Sequence, residues 1–215
     1  PDAAIEALAD PEDRDGDGVS GRPNHFFDGR LGRFGRKALV PTLREFNAGA
    51  FVIEQGITNP EAPTEESIAG NPIPSGVDPT PDPEITAEGL ALASDFVRFS
   101  APPAPQPLRG RAREGRSIFN RIACQRCHVP SLTTGDSPVK ALRNRKVYAY
   151  TDLLLHDMGP ELADICLGAA SPSEFPTEAL VGLRLASRFL HEDRDHQVAR
   201  VGQPDDPDVV GDADA

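Results

Sequence analysis

The chain has 215 residues, a formal charge of −12 and a pI of about 4.8, so it can bury one ordinary core but lacks the positive charge to bind a nucleic-acid backbone unaided. No stretch approaches the roughly 20 apolar residues of a membrane span. Its 22 prolines, 19 glycines and lack of tryptophan predict a loop-rich chain, in which a bound cofactor would supply apolar mass.

Two amphipathic helices are predicted in the first half of the chain, after a short helix at 3–9. Residues 42–55 carry apolar side chains at spacings of three and four, and Gly56 follows as a C-cap. Thr86 can cap a second helix that runs to about Arg98. The apolar residues expected to face a core are Leu43, Phe46, Ala50 and Ile53 in the first helix, and Leu90, Ala93, Phe96 and Val97 in the second.

Proline-rich segments separate these helices from the rest of the chain. Residues 59–84 contain seven prolines and are predicted to form a long irregular arm, and 101–107 reads as a stiff linker at the main domain boundary. Beyond it, 111–123 should be helical, with a buried side made of Ile118, Phe119 and Ile122. A last helix is expected from about Thr177 to Leu190, and the aperiodic tail after Arg200 should be disordered.

The segment Cys124-Gln125-Arg126-Cys127-His128 has the C-x-x-C-H spacing of covalent c-type haem attachment. Two thiols three positions apart can reach the two vinyl groups of one haem, and the next histidine can bind the iron from the proximal side. A structural zinc site is the first alternative, but it needs four ligands, and Cys166 is the only other cysteine. A redox dithiol is the second, and it gives the histidine no role.

The opposite face of the iron needs a sixth ligand, and Met158 is our prediction. It is the only methionine of the chain and precedes a Gly-Pro turn. Most methionines merely fill cores, and that reading stays open. His156 is the runner-up ligand, ahead of His191 and His196.

The chain resembles the bacterial di-haem oxidoreductases, the peroxidase and "thiol oxidoreductase" branch of the cytochrome c peroxidase superfamily. The resemblance runs from about residue 13 to 193. Its matching segments are 15–24, 32–38, Gln55-Gly56-Ile57-Thr58, Ala101-Pro102-Pro103, the C-x-x-C-H followed by Pro130, 152–164 and Phe189-Leu190-His191.

This resemblance implies an all-helical, cytochrome c-like domain with His128 proximal and Met158 distal, which exchanges electrons with a second haem where peroxide reacts. The chain departs from the family pattern because no second C-x-x-C-H lies upstream of the acidic loop. Pro176 stands where arginine is expected, Val181 replaces an aromatic residue, and the expected His-Asp-Gly reads His191-Glu192-Asp193. These departures favour electron transfer over peroxidase activity in this chain alone.

An acidic loop near the start resembles the first half of a calcium loop. Asp13, Asp15 and Asp17 alternate, and Gly18 stands at the sixth position, where a sharp turn is needed. Val19 could offer its carbonyl and Asn24 holds the twelfth position, where a bidentate Glu is usual, while Asp28 could complete the shell. A solvated acidic turn without an ion is the alternative.

Cys166 is an odd thiol, expected to be a small buried apolar residue, with an intermolecular disulfide as the alternative. We predict a mainly α fold with an N-terminal arm (1–105), a cytochrome c-like haem domain (106–200) and an acidic tail (201–215).

The predicted function is single-electron transfer by one covalent haem c, alone or beside redox protein partners or other cytochrome subunits. The alternatives are the C-terminal half of a di-haem peroxidase and a haem-bearing structural subunit. Covalent haem attachment is completed outside the bacterial cytoplasm, so a periplasmic location, with a signal or anchor upstream of Pro1, is expected.

Overall fold

Two of the four described α-helices begin at a threonine whose side chain caps the helix. The structure, a computed structural model, describes residues 2–65, 67, 71 and 73–183. Its α-helices are α1 (Asp2–Glu6), α2 (Leu43–Gln55), α3 (Ala87–Phe99) and α4 (Gly110–Arg121). The Thr42 side chain accepts a hydrogen bond from the backbone N–H of Glu45, and Gly56 ends α2 in a left-handed conformation, with φ of 66°. The predicted positions of these helices are confirmed.

Helices α2 and α3 pack against each other, but not through all of the predicted apolar residues. Asn47 Nδ2 of α2 donates to Ser94 Oγ of α3 at 3.3 Å, and Leu90 is fully buried, as expected. Ile53, Phe96 and Val97, expected to face the core, are exposed instead. Helical periodicity determines which residues share a face, whereas the neighbouring element determines which face is covered.

The prediction of a mainly α fold with a helical, cytochrome c-like haem domain is wrong for the described part of the chain. After residue 105, α4 is the only α-helix described, and residues 177–181, where the last helix was to begin, are not helical. Two short antiparallel pairs occur instead, β1 (Leu132–Thr133) with β2 (Lys146–Val147), and β3 (Leu155–Asp157) with β4 (Glu174–Pro176). Prolines at 130, 138, 160, 172 and 176 interrupt this segment, and each removes a backbone donor that a helix needs.

The N-terminal residues pack directly on the β3 segment. Ile5, Leu31 and Leu154 form a buried apolar cluster, and Arg22 exchanges two backbone hydrogen bonds with Leu155, of 3.1 and 2.7 Å. Contacts group residues 1–181 into one compact unit. The division at residue 105 stays a prediction. None of the described helices is long and apolar enough to cross a membrane.

The arm at 59–84 is irregular at its described positions, as predicted, and carries no helix or strand there. Residue 184 onward lies outside the described residues, and with it the predicted tail, most of the predicted last helix, His191 and His196.

Candidate functional site

The C-x-x-C-H segment folds as one tight turn after α4. Ala123 adopts a left-handed conformation, with φ of 66°, and a 3-10 turn follows over Cys124–Arg126. The backbone N–H of His128 donates to the carbonyl of Cys124 at 2.9 Å. The turn therefore carries both thiols and the imidazole within five residues, and both cysteines are free and partly buried.

The ring of His128 is held by groups from both sides of the turn. Its Nδ1 lies 2.9 Å from the carbonyl oxygen of Tyr150, which can only accept, so Nδ1 carries the proton. Nε2 then keeps its lone pair, which is the arrangement of a metal-binding histidine whose other nitrogen is hydrogen-bonded. The ring of Phe119 lies 6.3 Å from the imidazole and meets the ring of Tyr150 edge-on at 6.0 Å.

His156, the runner-up distal ligand, has hydrogen-bond partners at both ring nitrogens. Its Nδ1 lies 2.7 Å from the carbonyl oxygen of Ser20, and its Nε2 lies 2.9 Å from the carboxylate of Asp152. Burial lowers the pKa of His156, but Asp152 and the sulfur of Cys127, 3.9 Å away, outweigh it and raise the pKa to about 10. Binding iron through His156 would break one of these bonds.

Met158 follows β3 directly, two residues after His156. Its side chain is 50% exposed, and its backbone N–H donates to the carbonyl of Ser173 at 2.8 Å. Gly159 comes next with a positive φ of 82°, a backbone conformation that glycine adopts readily, and the 3-10 turn Pro160–Leu162 follows. The distal-ligand role of Met158 stays a prediction.

The acidic loop contacts the C-x-x-C-H turn, and the sequence did not indicate this contact. The carboxylates of Asp13, Asp15 and Asp17 each offer an oxygen within 4.8 Å of the others. Arg126, between the two cysteines, places Nε 3.1 Å from the Asp17 carboxylate and also donates to the Asp17 carbonyl. Asp17 is therefore shared between the loop and the turn.

Asn24, the other side chain predicted as a ligand of the loop, has hydrogen-bond partners of its own. Asn24 is fully buried, and its Nδ2 donates to the carbonyls of Lys37, at 2.9 Å, and Leu167, at 3.3 Å. A calcium-ligand role for Asn24 would compete with the bond that its Oδ1 accepts from the backbone of the next residue. The backbone N–H of Val19 donates to the Asp17 carboxylate at 2.9 Å.

Two further groups differ from expectation. Cys166 is an exposed free thiol, so the prediction of a small buried residue is wrong. Glu65, Asp82 and Glu84 bring carboxylate oxygens within 4.8 Å of one another, in the proline-rich arm where sequence reasoning found no site. Burial and the neighbouring carboxylates raise the pKa of Glu65. The only sequence signal for this cluster was the local density of acidic residues around residue 82.

Comparison with known proteins identifies the family of the chain. The family described as "Di-haem oxidoreductase, putative peroxidase" matches residues 1–194, which is most of the chain. No curated protein and no solved structure matches it. The family implies haem as the cofactor, a redox role and redox partners. By its match over nearly the whole length, the chain belongs to the di-haem oxidoreductase family.

Proposed function

We propose that the chain is a c-type cytochrome that transfers single electrons through one haem, held covalently by Cys124 and Cys127. His128 is the proximal iron ligand. The observation that carries the proposal is the hydrogen bond from His128 Nδ1 to the Tyr150 carbonyl, which leaves the Nε2 lone pair for a metal in a turn that also carries two cysteines outside any disulfide.

The apolar side chains around the turn fit a haem. Ile118 and Ile122, expected to be buried, are 46% and 63% exposed, and α4 has no buried residue. Exposed apolar side chains that cluster beside a functional motif are typical of a surface that another group covers. A macrocycle attached at the end of α4 would supply that cover.

Each residue of the site then has a separate task. The two cysteines tether the haem edge, Phe119 and the Tyr150 carbonyl orient the imidazole of His128, and the bound haem supplies an iron that changes oxidation state by one electron. Because both nitrogens of His156 are engaged, we assign the distal position to the thioether of Met158. A soft, neutral sulfur ligand favours the reduced iron.

The chain acts as a carrier alone or as one subunit of a larger redox assembly, in the bacterial periplasm. A di-haem peroxidase-type oxidoreductase is the second candidate function, because the matching family is described by two haems and by peroxidase activity. The sequence contains one C-x-x-C-H, which supports the carrier. Calcium at Asp13, Asp15 and Asp17 is a further, structural proposal, supported by the convergence of the three carboxylates.

The experiment is a test for covalent haem in the protein expressed with a haem-attachment system. The polypeptide mass after denaturation and extraction with acidified organic solvent should include one haem, and the Cys124→Ala, Cys127→Ala variant should lose it. A haem that extracts from the unmodified chain contradicts the proposal. Rapid turnover of peroxide by the isolated holoprotein would favour the peroxidase instead.

A further inference from the structure

In the sequence of this acidic protein, the basic residues are concentrated on both sides of the C-x-x-C-H turn (124–128). Residues 109–146 contain ten Lys or Arg and two Asp or Glu, a formal charge of +8. The rest of the chain contains 12 basic and 32 acidic residues, a charge of −20. The sign of the charge is therefore opposite in this segment and in the remainder.

Two parts of the segment carry the charge, and an aromatic residue in or just after each part lies against His128. Helix α4 and its flanks bear five arginines, and the β1–β2 hairpin, over 132–147, bears four basic residues. These are Arg109, Arg111, Arg113, Arg116 and Arg121 in the first part, and Lys140, Arg143, Arg145 and Lys146 in the second. Phe119 of α4 and Tyr150, just after the hairpin, both contact His128. Both parts therefore extend from one aromatic cluster.

Most of these charges are not neutralised within the protein. All nine side chains are exposed, and among the described residues only Arg143 of the nine forms an ion pair, at 3.0 Å with Asp136. Tyr148, next to the hairpin, is also exposed. An exposed aromatic residue beside unpaired arginines has the composition of a protein–protein interface.

We propose that this surface, the basic face (109–121 and 140–146), docks an acidic redox protein for electron exchange with the haem. This inference rests on the proposed function. The exchange moves one electron from the ferrous haem iron to the one-electron centre of the partner, or in reverse, with no proton transferred. The overall charge of −12, taken alone, favours a basic partner, so the local charge of the basic face leads to the opposite expectation.

An acidic protein fits better than a nucleic acid. The residues outside 109–146 carry a formal charge of −20, and this charge opposes the approach of a long polyanion. A folded protein can present carboxylates to the basic face alone. At about 0.15 M salt, charges further than roughly 8 Å are largely screened, so the partner responds to the local sign.

The kinetic test uses the holoprotein and two one-electron oxidants of opposite charge. Ferricyanide, an anion, accepts an electron from the ferrous haem, and tris(phenanthroline)cobalt(III), a cation, does the same. The basic face should attract ferricyanide and repel the cobalt complex. Above about 0.1 M ionic strength, added salt should therefore lower the rate of electron transfer to ferricyanide and raise the rate of electron transfer to the cobalt complex. Arg113→Gln with Arg116→Gln should slow ferricyanide about threefold. The control, Arg44→Gln with Arg98→Gln on α2 and α3, has the same net charge and should not change the rate.

The binding test does not depend on the haem reaction. Labelled poly-L-glutamate should bind the holoprotein in an anisotropy titration, at least about threefold more weakly in the α4 variant than in the control. The docking proposal is overturned if the rate of ferricyanide reduction rises with salt, or if both variants bind polyglutamate equally. Neither result contradicts the presence of the haem. A protein without haem overturns the proposed function instead. The assignment of an acidic protein to the basic face would also be overturned by two other results. One is binding of an oligonucleotide or of anionic vesicles but not of polyglutamate, and the other is self-association through α4.

Discussion

Lys37 forms the most deeply buried ion pair of the described residues, and its partner Asp164 offers a sharp test of the packing. Lys37 is 0% exposed, and its Nζ lies 2.7 Å from Asp164 Oδ1. The ammonium also donates to the Glu174 carbonyl at 2.6 Å and lies 3.5 Å from the centre of the Phe175 ring. The carboxylate of Asp164 additionally receives Arg36 Nε at 2.5 Å.

The perturbation is Asp164→Asn, which keeps the shape of the side chain and removes its charge. At 2.7 Å the gross attraction is about 6 kcal/mol for an effective dielectric constant near 20, and desolvation cancels much of it. Removing one partner leaves the other charge buried, so the free energy of unfolding should fall by about 3–5 kcal/mol. Lys37→Met should cost less, because Arg36 still pairs with Asp164.

The loss of stability caused by Asp164→Asn should depend on pH. Burial raises the pKa of Asp164, but Lys37 and Arg36 outweigh it and hold the pKa below its usual value. A carboxylate with a depressed pKa stabilises the fold fully above its unfolded pKa of about 3.9, and loses that effect as pH falls through the folded pKa. The difference between the two proteins should therefore be constant near neutral pH and shrink below about pH 4.

Urea unfolding followed by circular dichroism measures both effects. The matched control is Asp95→Asn, which breaks the exposed Asp95–Arg98 pair and should cost less than about 1 kcal/mol. A cost below about 1 kcal/mol for Asp164→Asn at pH 7, or a difference unchanged at pH 3, would refute the reasoning.

Three other predictions concern two glycines, the distal ligand and the acidic loop. Gly32→Ala places a Cβ against the carbonyls of residues 38 and 39 and should cost about 3 kcal/mol or more, whereas Gly49→Ala in α2 meets nothing and should stabilise by up to about 1 kcal/mol, both measured by urea unfolding. Met158→Ala should produce a high-spin fraction in the absorption spectrum of the holoprotein and a lower reduction potential in a redox titration. Adding His156→Ala controls for replacement of the lost ligand by His156, and an unchanged spectrum and potential would reject the assignment of Met158. A calcium chelator should lower the melting temperature, and the Asp15→Ala, Asp17→Ala variant should not respond; no effect on the intact protein favours the solvated turn.

Helices α2 and α3 were predictable from the sequence because the residues that cap them lie close to them in the chain. Thr42 and Gly56 cap α2 through bonds to residues no more than five positions away, and Thr86 caps α3 in the same way. The C-x-x-C-H spacing likewise depends on five consecutive residues. Such features are determined by the types of neighbouring residues, whatever the rest of the chain does.

The groups around the candidate site were decided only by the tertiary structure. His128 bonds the carbonyl of Tyr150, 22 residues later, and a carbonyl occurs in every residue and so leaves no sequence signal. Arg126 reaches Asp17 across 109 residues, and Lys37 is buried against Asp164, although a lysine is usually exposed. These contacts depend on how proline-rich loops return the chain on itself, which residue types alone do not specify. The mainly α prediction was wrong for the same reason, since the segment after Cys127 uses short strand pairs between distant residues.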